Sequence, residues 1–525
     1  MVQCYTIFEK GGRDILEQYS LAQEFVNLMA KALQILVSVS REDLYTLNAM
    51  KDYSAIGNDV KQKIDTPTIE SAQQLLERIR SILSIAQSCT NPDRLLYAKA
   101  LCQYLDQLIS YSDDMCNSTG IWANNRIFLH CLVPVQSDRT PVMLKSLNSN
   151  YLETGVCISP KFPVSNAINT TSTPATPRSL VSQNALYGIN GSLLNVSYRP
   201  YEKDSPEVQH IILSERICHK DELLPQETRI VFSPLTDRSN LLVTENCDLT
   251  RLGQQYCGFE ITKLADPQYI EDRFSKTWLE SCKISPDIFF APEMLATDNM
   301  IRIEHGGSTF LKPLLMLAAI NGLNAPRLTI MPTHWKNREN RLLIFDETGR
   351  HLGTQFKCTP YVDKKAHRME ALSQVNDSNI LMIHMKNQQR IAIAICAEFI
   401  ANPERINHFL CEQLGATLIL VPSYSNGERD FIDSLSTLKP YGTSVIWGNC
   451  CGAVCDDSPQ MHTQRTIGGC SYAGIDCPNR FGTIANCNFH CGASSVCLFV
   501  VNIPTAVSQG KISPGSIPKI EHINN

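Results

Sequence analysis

The sequence predicts an α/β domain with a buried sheet over about 228–505, preceded by a mainly helical and then mixed α+β N-terminal region. Three observations predict it. From Thr228 onward, short apolar runs alternate with polar–apolar stretches of helical spacing, and several runs are apolar throughout, as strands buried on both faces are. Before about 115, apolar residues recur instead at i, i+3 and i+4. Between the two regimes, SNAINTTSTPATPRSLVSQN (165–184) has the composition of a loop or linker.

The elements follow in order. In 13–37, Ile15, Leu16, Tyr19, Ala22, Phe25, Leu28, Met29 and Leu33 form a helical stripe. A second helix is expected to open at Thr68 and run through IESAQQLLERIRSILSIAQS. A third spans about Pro92–Ser110, with the proline suited to a first helical turn. Beyond 117, runs such as RIFLHCLVPV read as strands. The α/β regime then gives strands at RIVFSPL, SPDIFFAPEML, RLTIMPT, RLLIFDETG, HLGTQFKC, RIAIAICAE, ATLILVPS, TSVIWGNCCG and VCLFVVNIP. Helices are expected at ADPQYIEDRFSKTWLESCKI, PERINHFLCEQLG and about 429–441. The division expected is 1–115 helical, 116–227 mixed, 228–505 α/β, and 506–525 a tail.

Composition excludes several function classes. A hydrophobic share of 43% over 525 residues supports a packed core. With 47 basic and 52 acidic residues the net charge is −5, which argues against nucleic-acid or polybasic membrane binding. No apolar run reaches membrane-spanning length; the nearest, Phe310–Leu323, is interrupted by Lys312 and Pro313. The charged N-terminus MVQCYTIFEKGGRD is unlike a secretory signal, so a cytoplasmic, reducing location with free thiols is expected. Of the 21 cysteines, eight crowd between Cys450 and Cys497. Their spacings, with His462 and His490 nearby, fit paired zinc knuckles poorly, and free thiols are the expectation there. Tyr111, Ser112, Asp113 and Asp114 spell a polymerase-like Y-x-D-D, but read better as a helix end with acidic turn residues.

Three strand ends carry reactive side chains: Glu293 after IFFAP, Lys357 after HLGTQF and Cys396 after IAIAI. Strand carboxyl ends are where α/β sheets build sites. Taken singly, each has an ordinary reading, as a helix N-terminal acid, a solvated cation and a buried core thiol. Together they do not.

In this order the segments resemble the nitrilase, or carbon–nitrogen hydrolase, superfamily, whose signature is a Glu–Lys–Cys triad. Pro292–Glu293 resembles its first motif, Phe356–Lys357 its second, and ICAEF around Cys396, with Glu398 following, its third. Asn340 with RLLIFDETG, Pro403–Glu404 with LGATLILVPS, Asn449 with Gly452, and GGCSYAGIDCPNRFG extend the likeness. It covers about 280 residues and leaves the N-terminal region unmatched. The resemblance implies an αββα sandwich and a thiol nucleophile, Cys396. Glu293 would be the general base and acid. Lys357 would stabilise the oxyanion, jointly with the backbone N–H of Ala397. A second glutamate would hold the lysine, and Glu370 is the candidate, although VDKKAHR widens the usual spacing. Tyr424, Trp335 and His334, on strand-end loops, are candidate pocket residues.

The function so implied is hydrolysis of a non-peptide carbon–nitrogen bond, in an amide or carbamoyl compound rather than a nitrile. No cofactor and no metal are expected. The partners expected are a small amide-like substrate and further copies of the chain, with N-terminal helices for oligomerisation or docking a protein. The competing reading is a nitrilase-fold binding or assembly scaffold with vestigial catalysis, as in a bacterial defence system.

Overall fold

The computed structural model describes residues 2–37, 52–64, 72–110, 127–128, 142–160, 193, 196–201, 206–213, 227–237, 241–373, 380–385, 389–401, 405–435, 438, 443–453, 465–471, 483–487, 496–504 and 520–524. Tyr111–Asp114, the 165–184 stretch, Pro403, Glu404, Cys455, Cys477, Cys491, His462 and His490 lie outside these residues. The chain forms two compact units. One comprises Met1–Leu224, Met382–Arg390 and Asn407–Ala416; the other, Pro225–Leu381, Ile391–Ile406 and Thr417–Asn525.

The first unit is built on the helices Val2–Val37, Asp52–Ile64, Ala72–Ser88 and Asp93–Leu108. The first starts well before the residue 13 expected; Thr68, where the second expected helix would open, lies outside the described residues. Helix Ala72–Ser88 buries Leu75, Leu76, Ile79, Ile82, Leu83 and Ala86, the i, i+3, i+4 face its sequence shows. These meet Phe25, Met29 and Leu33 of the first helix and Leu101 and Leu105 of the last. The strands Val156–Pro160 and Val196–Pro200 pair antiparallel, and Val156, Ile158 and Val196 join the same core. Asp106, sealed in that core, accepts the Val196 N–H at 2.9 Å, which meets the requirement that a buried carboxylate be hydrogen-bonded.

The second unit is the α/β part. One mixed sheet runs in the order His334–Lys336, Glu339–Asp346, Leu328–Ile330, Ile288–Phe290, Glu227–Phe232, Cys497–Pro504 and Ile520–Asn524, with His351–Phe356 also beside Glu339–Asp346. Its central strands Ile288–Phe290, Leu328–Ile330 and Glu227–Phe232 are parallel. Alternate residues face opposite ways along each strand. Val231 and Phe289 pack with Ile270, Phe274 and Trp278 of helix Pro267–Ile284 and with Leu311 and Ala318 of helix Leu311–Ile320. Phe232 and Phe290 point the other way, onto a second sheet that contains Leu418–Ser423, Ser444–Asn449 and Arg465–Ser471. There the rings close on Gly448 and Gly468, where an added Cβ would lie 2.7 Å from Phe290 Cε2 and 2.7 Å from Phe232 Cζ. On that second sheet, Trp447 stacks on Phe431 of helix Glu428–Leu435 at 4.8 Å.

Three elements depart from expectation. Leu241–Arg251 and Gln254–Leu264 form a long antiparallel hairpin that no apolar run announced. Its turn places Leu252 and Gly253 at φ 50° and 78°, the left-handed pair that a two-residue hairpin turn needs. Helix Leu311–Ile320 occupies the stretch whose Lys312 and Pro313 broke the apolar run. Proline is tolerated there because it sits in the first turn. The expected tail instead ends in strand Ile520–Asn524, paired with Cys497–Val501.

Among the described residues, no helix is long and apolar enough to cross a membrane. Of the crowded cysteines, Cys450, Cys451, Cys470 and Cys497 are free thiols in buried positions.

Candidate active site

The sheet strands bring Glu293, Lys357, Glu370 and Cys396 to one buried point. Glu293 follows strand Ile288–Phe290 by three residues, and its position is fixed from the far side. The next residue, Met294, holds φ at 66°, and its N–H donates to Thr333 Oγ1 at 2.7 Å. Lys357 continues strand His351–Phe356, its N–H bonded to the Asn340 carbonyl at 2.8 Å. Glu370 ends strand Arg368–Glu370, which pairs in parallel with Cys257–Phe259 of the long hairpin. Cys396 ends a strand-like run in which Ala394 and Cys396 donate to Leu420 and Pro422 carbonyls at 3.0 Å each. The backbone then turns sharply into helix Ala397–Ala401, with Cys396 at φ 48°. For a residue with a Cβ that conformation is strained, and such strain concentrates at functional positions.

Lys357 Nζ lies 2.6 Å from Glu293 Oε1 and 2.6 Å from Glu370 Oε2. All three side chains are sealed from solvent. Burial opposes the lysine's charge, but the two carboxylates outweigh it and hold the ammonium far above the usual lysine range. Burial pushes the Glu370 carboxyl up, against the pull of Lys357. The Cys396 thiol is pushed well above the ordinary cysteine range, first by burial and then by Glu293, while Lys357 acts the other way. The resting state is therefore a neutral thiol beside a charged lysine.

Further hydrogen bonds surround the three charged groups. Asn340 Nδ2 donates to Glu293 Oε1 at 2.8 Å and to Glu370 Oε1 at 3.2 Å. The Tyr361 N–H donates to Glu370 Oε2 at 2.9 Å, and the Tyr424 N–H to Glu293 Oε2 at 3.2 Å. Glu398 joins the cysteine's turn to the lysine's strand: its Oε2 accepts the Ile395 N–H at 2.9 Å and its Oε1 the Cys358 N–H at 2.7 Å. Asn449 holds the loop carrying Tyr424 by accepting from the Ser425 N–H at 3.0 Å and donating to the Ser425 carbonyl at 2.7 Å.

Of the candidate pocket residues, Tyr424 meets the cluster through its backbone. Ala397 is the first residue of its helix, so its N–H belongs to the donors a helix leaves without an intrahelical acceptor. His334 is buried and bonds Asp298 at 3.2 Å, and burial lowers its pKa to about 4. Neither His334 nor the half-buried Trp335 hydrogen-bonds the four-residue cluster among the described residues. In the sequence, Asn340 and Glu398 stand out only as motif positions. Their polarity inside or beside otherwise apolar strand segments was the available signal, since a buried amide or carboxylate needs specific partners.

No protein-family model and no curated protein matches this sequence. Among solved structures, a mutant of the Nesterenkonia AN1 amidase, described as from the nitrilase superfamily, is 14% identical, with 56% of this chain and 97% of that chain covered and a TM-score of 0.34. A second, an amidase from Nesterenkonia sp., is 14% identical over 54% of this chain and 93% of that chain, with a TM-score of 0.32. A third is a mutant of the AN1 amidase carrying the acetamide moiety of fluoroacetamide on its active-site cysteine. It is 14% identical over 56% and 97% of the two chains, with a TM-score of 0.33.

Proposed function

We propose that the second unit is a nitrilase-type αββα sandwich that hydrolyses a small amide or carbamoyl compound through a thioester on Cys396. The observation that carries this reading is the sealed contact of Lys357 with both Glu293 and Glu370 beside a strained cysteine turn. Two buried carboxylates and one buried ammonium are expensive to hold together, and packing alone does not call for them.

The chemistry follows from which atoms remain open. Glu293 Oε1 already accepts from Lys357 and Asn340, whereas Oε2 accepts from the Tyr424 N–H. Oε2 therefore takes the thiol proton as sulfur bonds to the substrate carbonyl carbon. An ammonium has three donors, and Lys357 uses two on the glutamates. The third, with the Ala397 N–H, stabilises the oxyanion, an interaction whose loss typically costs about 3–4 kcal/mol of barrier. As the intermediate collapses, the carbon–nitrogen bond breaks and Glu293 returns the proton to the departing amine. Water, deprotonated by Glu293, then attacks the thioester; the acid leaves and the thiol regains its proton. No step draws on a metal or an organic cofactor.

The N-terminal unit serves oligomerisation or partner docking in this reading, and the chain works in the cytoplasm as an oligomer. Mass spectrometry of the protein incubated with small amides tests the catalytic part. An acyl adduct mapped to the peptide containing Cys396 is the expected result; adducts absent there, with amide turnover present, overturn it.

A further inference from the structure

We infer that Asn340 is a positioning residue that hydrogen-bonds both buried carboxylates at once and so leaves Glu293 Oε2, rather than Oε1, to act as the base. The inference rests on the hydrolase reading above and goes beyond it by naming what keeps its two glutamates in different roles. Asn340 touches every charged member of the cluster. Its carbonyl accepts the Lys357 N–H at 2.8 Å, and its side-chain amide reaches Glu293 Oε1 at 2.8 Å and Glu370 Oε1 at 3.2 Å.

The amide orientation has one cause. Asn340 is 1% exposed, and its Oδ1 has no hydrogen-bond partner among the described residues. Turning the amide over would aim that oxygen at two carboxylates, so the carboxylates fix the NH₂ towards themselves. Lys357 supplies one positive charge against two carboxylates, with the Tyr361 N–H donating to Glu370 and the Tyr424 N–H to Glu293. The neutral amide donates to both without adding charge, and hydrogen bonds to a carboxylate favour its ionised form. It also occupies the second lone pair of Glu293 Oε1, so that oxygen cannot compete for the thiol proton.

The groups that titrate around Glu293 are Lys357, Glu370 and Cys396, with the Tyr361 hydroxyl in the field of Lys357 and Cys396. Removing the Asn340 donors withdraws hydrogen bonds that favour the ionised form of a carboxylate, so the acid limb of reactivity moves to higher pH.

The test follows Cys396 alkylation by iodoacetamide against pH, read by peptide mass spectrometry in the full chain. Asn340→Ala is compared with wild type, and Asn340→Leu, which keeps the volume without adding a charge, covers the case in which the alanine variant does not fold. The acid limb is expected about one pH unit higher in the variants, with labelling roughly tenfold slower at any given pH on that limb. Limbs that coincide with wild type, whatever the labelling rate, overturn the inference and leave Asn340 a packing residue. If wild type turns over no amide while the limbs still separate, the hydrolase reading fails and the positioning role stands.

Discussion

The Lys357 ammonium sits 2.6 Å from Glu293 Oε1, and the pair's side chains have no solvent exposure. A buried pair of this kind contributes little net stability, because desolvation offsets the attraction, yet breaking it leaves an uncompensated charge. Here the lysine has two buried carboxylate partners, and its removal would strand both. Lys357→Met is therefore expected to destabilise the second unit by roughly 3–5 kcal/mol at neutral pH. The loss should shrink in acid, where the stranded carboxyls take up protons. Urea unfolding at pH 7 and pH 4.5 checks this; a pH-independent loss would mean that the carboxylates are not what the lysine neutralises.

Glu398 is expected to matter for rate more than for binding. It ties Ile395, which precedes Cys396, to Cys358, which follows Lys357. In Glu398→Gln one of these N–H groups would face an amide NH₂, so one tie is lost. A displacement of the cysteine turn by about 1 Å costs on the order of a hundredfold in rate. Steady-state kinetics should show the fall in kcat with KM little changed. Wild-type kcat in a variant with a lowered Tm would assign Glu398 to stability alone.

Gly448 marks where the two sheets approach. Gly448→Ala would place a methyl 2.7 Å from the Phe290 ring, and both lie on packed strands with little room to yield. Overpacking of this kind costs about 1–3 kcal/mol. Thermal unfolding should show the loss, and Phe290→Leu added to it should recover part. Additive destabilisation in the double variant would place the clash elsewhere.

The first unit carries an acid-sensitive element of its own. His210 is buried between Ser159 Oγ at 2.9 Å and His384 Nε2 at 2.9 Å. Burial, aided by Arg199, lowers its pKa to about 3 from 6.5. A folded-state value below the unfolded one contributes stability that is present above pH 6.5 and is lost as pH falls towards 3. The full difference is on the order of 5 kcal/mol. Melting curves between pH 7 and pH 4 should therefore fall more steeply for wild type than for His210→Gln. Parallel curves would show that the imidazole is not the group taking up the proton.

Much of this was legible in the sequence because burial writes itself into composition. The strands that end at Glu293 and Cys396 are nearly all apolar, and a charged or nucleophilic residue at the end of such a run stands out. The helices of the first unit showed the spacing that Leu75, Leu76, Ile79 and Leu83 bury. The hairpin Leu241–Leu264 was not legible, because its strands mix Thr, Glu, Asn and Asp with apolar residues. A leucine, moreover, fills the first left-handed position of its turn. That hairpin matters to the site, since it carries the strand against which Glu370 is laid. The spacing from Lys357 to Glu370 looked irregular for the same reason: the intervening Val362–Asp363 and Arg368–Glu370 form their own small sheet with the hairpin. The binding of Asn340 to both glutamates was illegible for a different reason. A sequence shows that an asparagine interrupts a strand pattern, but not which acids face it across 47 and 30 residues.

The central claim is that Cys396 is the nucleophile of a carbon–nitrogen hydrolase. Ammonia release from a panel of small amides, compared between wild type and Cys396→Ala with matched circular dichroism, tests it most directly. Release by wild type and a fall to background in the variant are expected. Equal release by the two proteins, or none from wild type across the panel while Cys396 stays alkylatable, would contradict it and favour a binding scaffold.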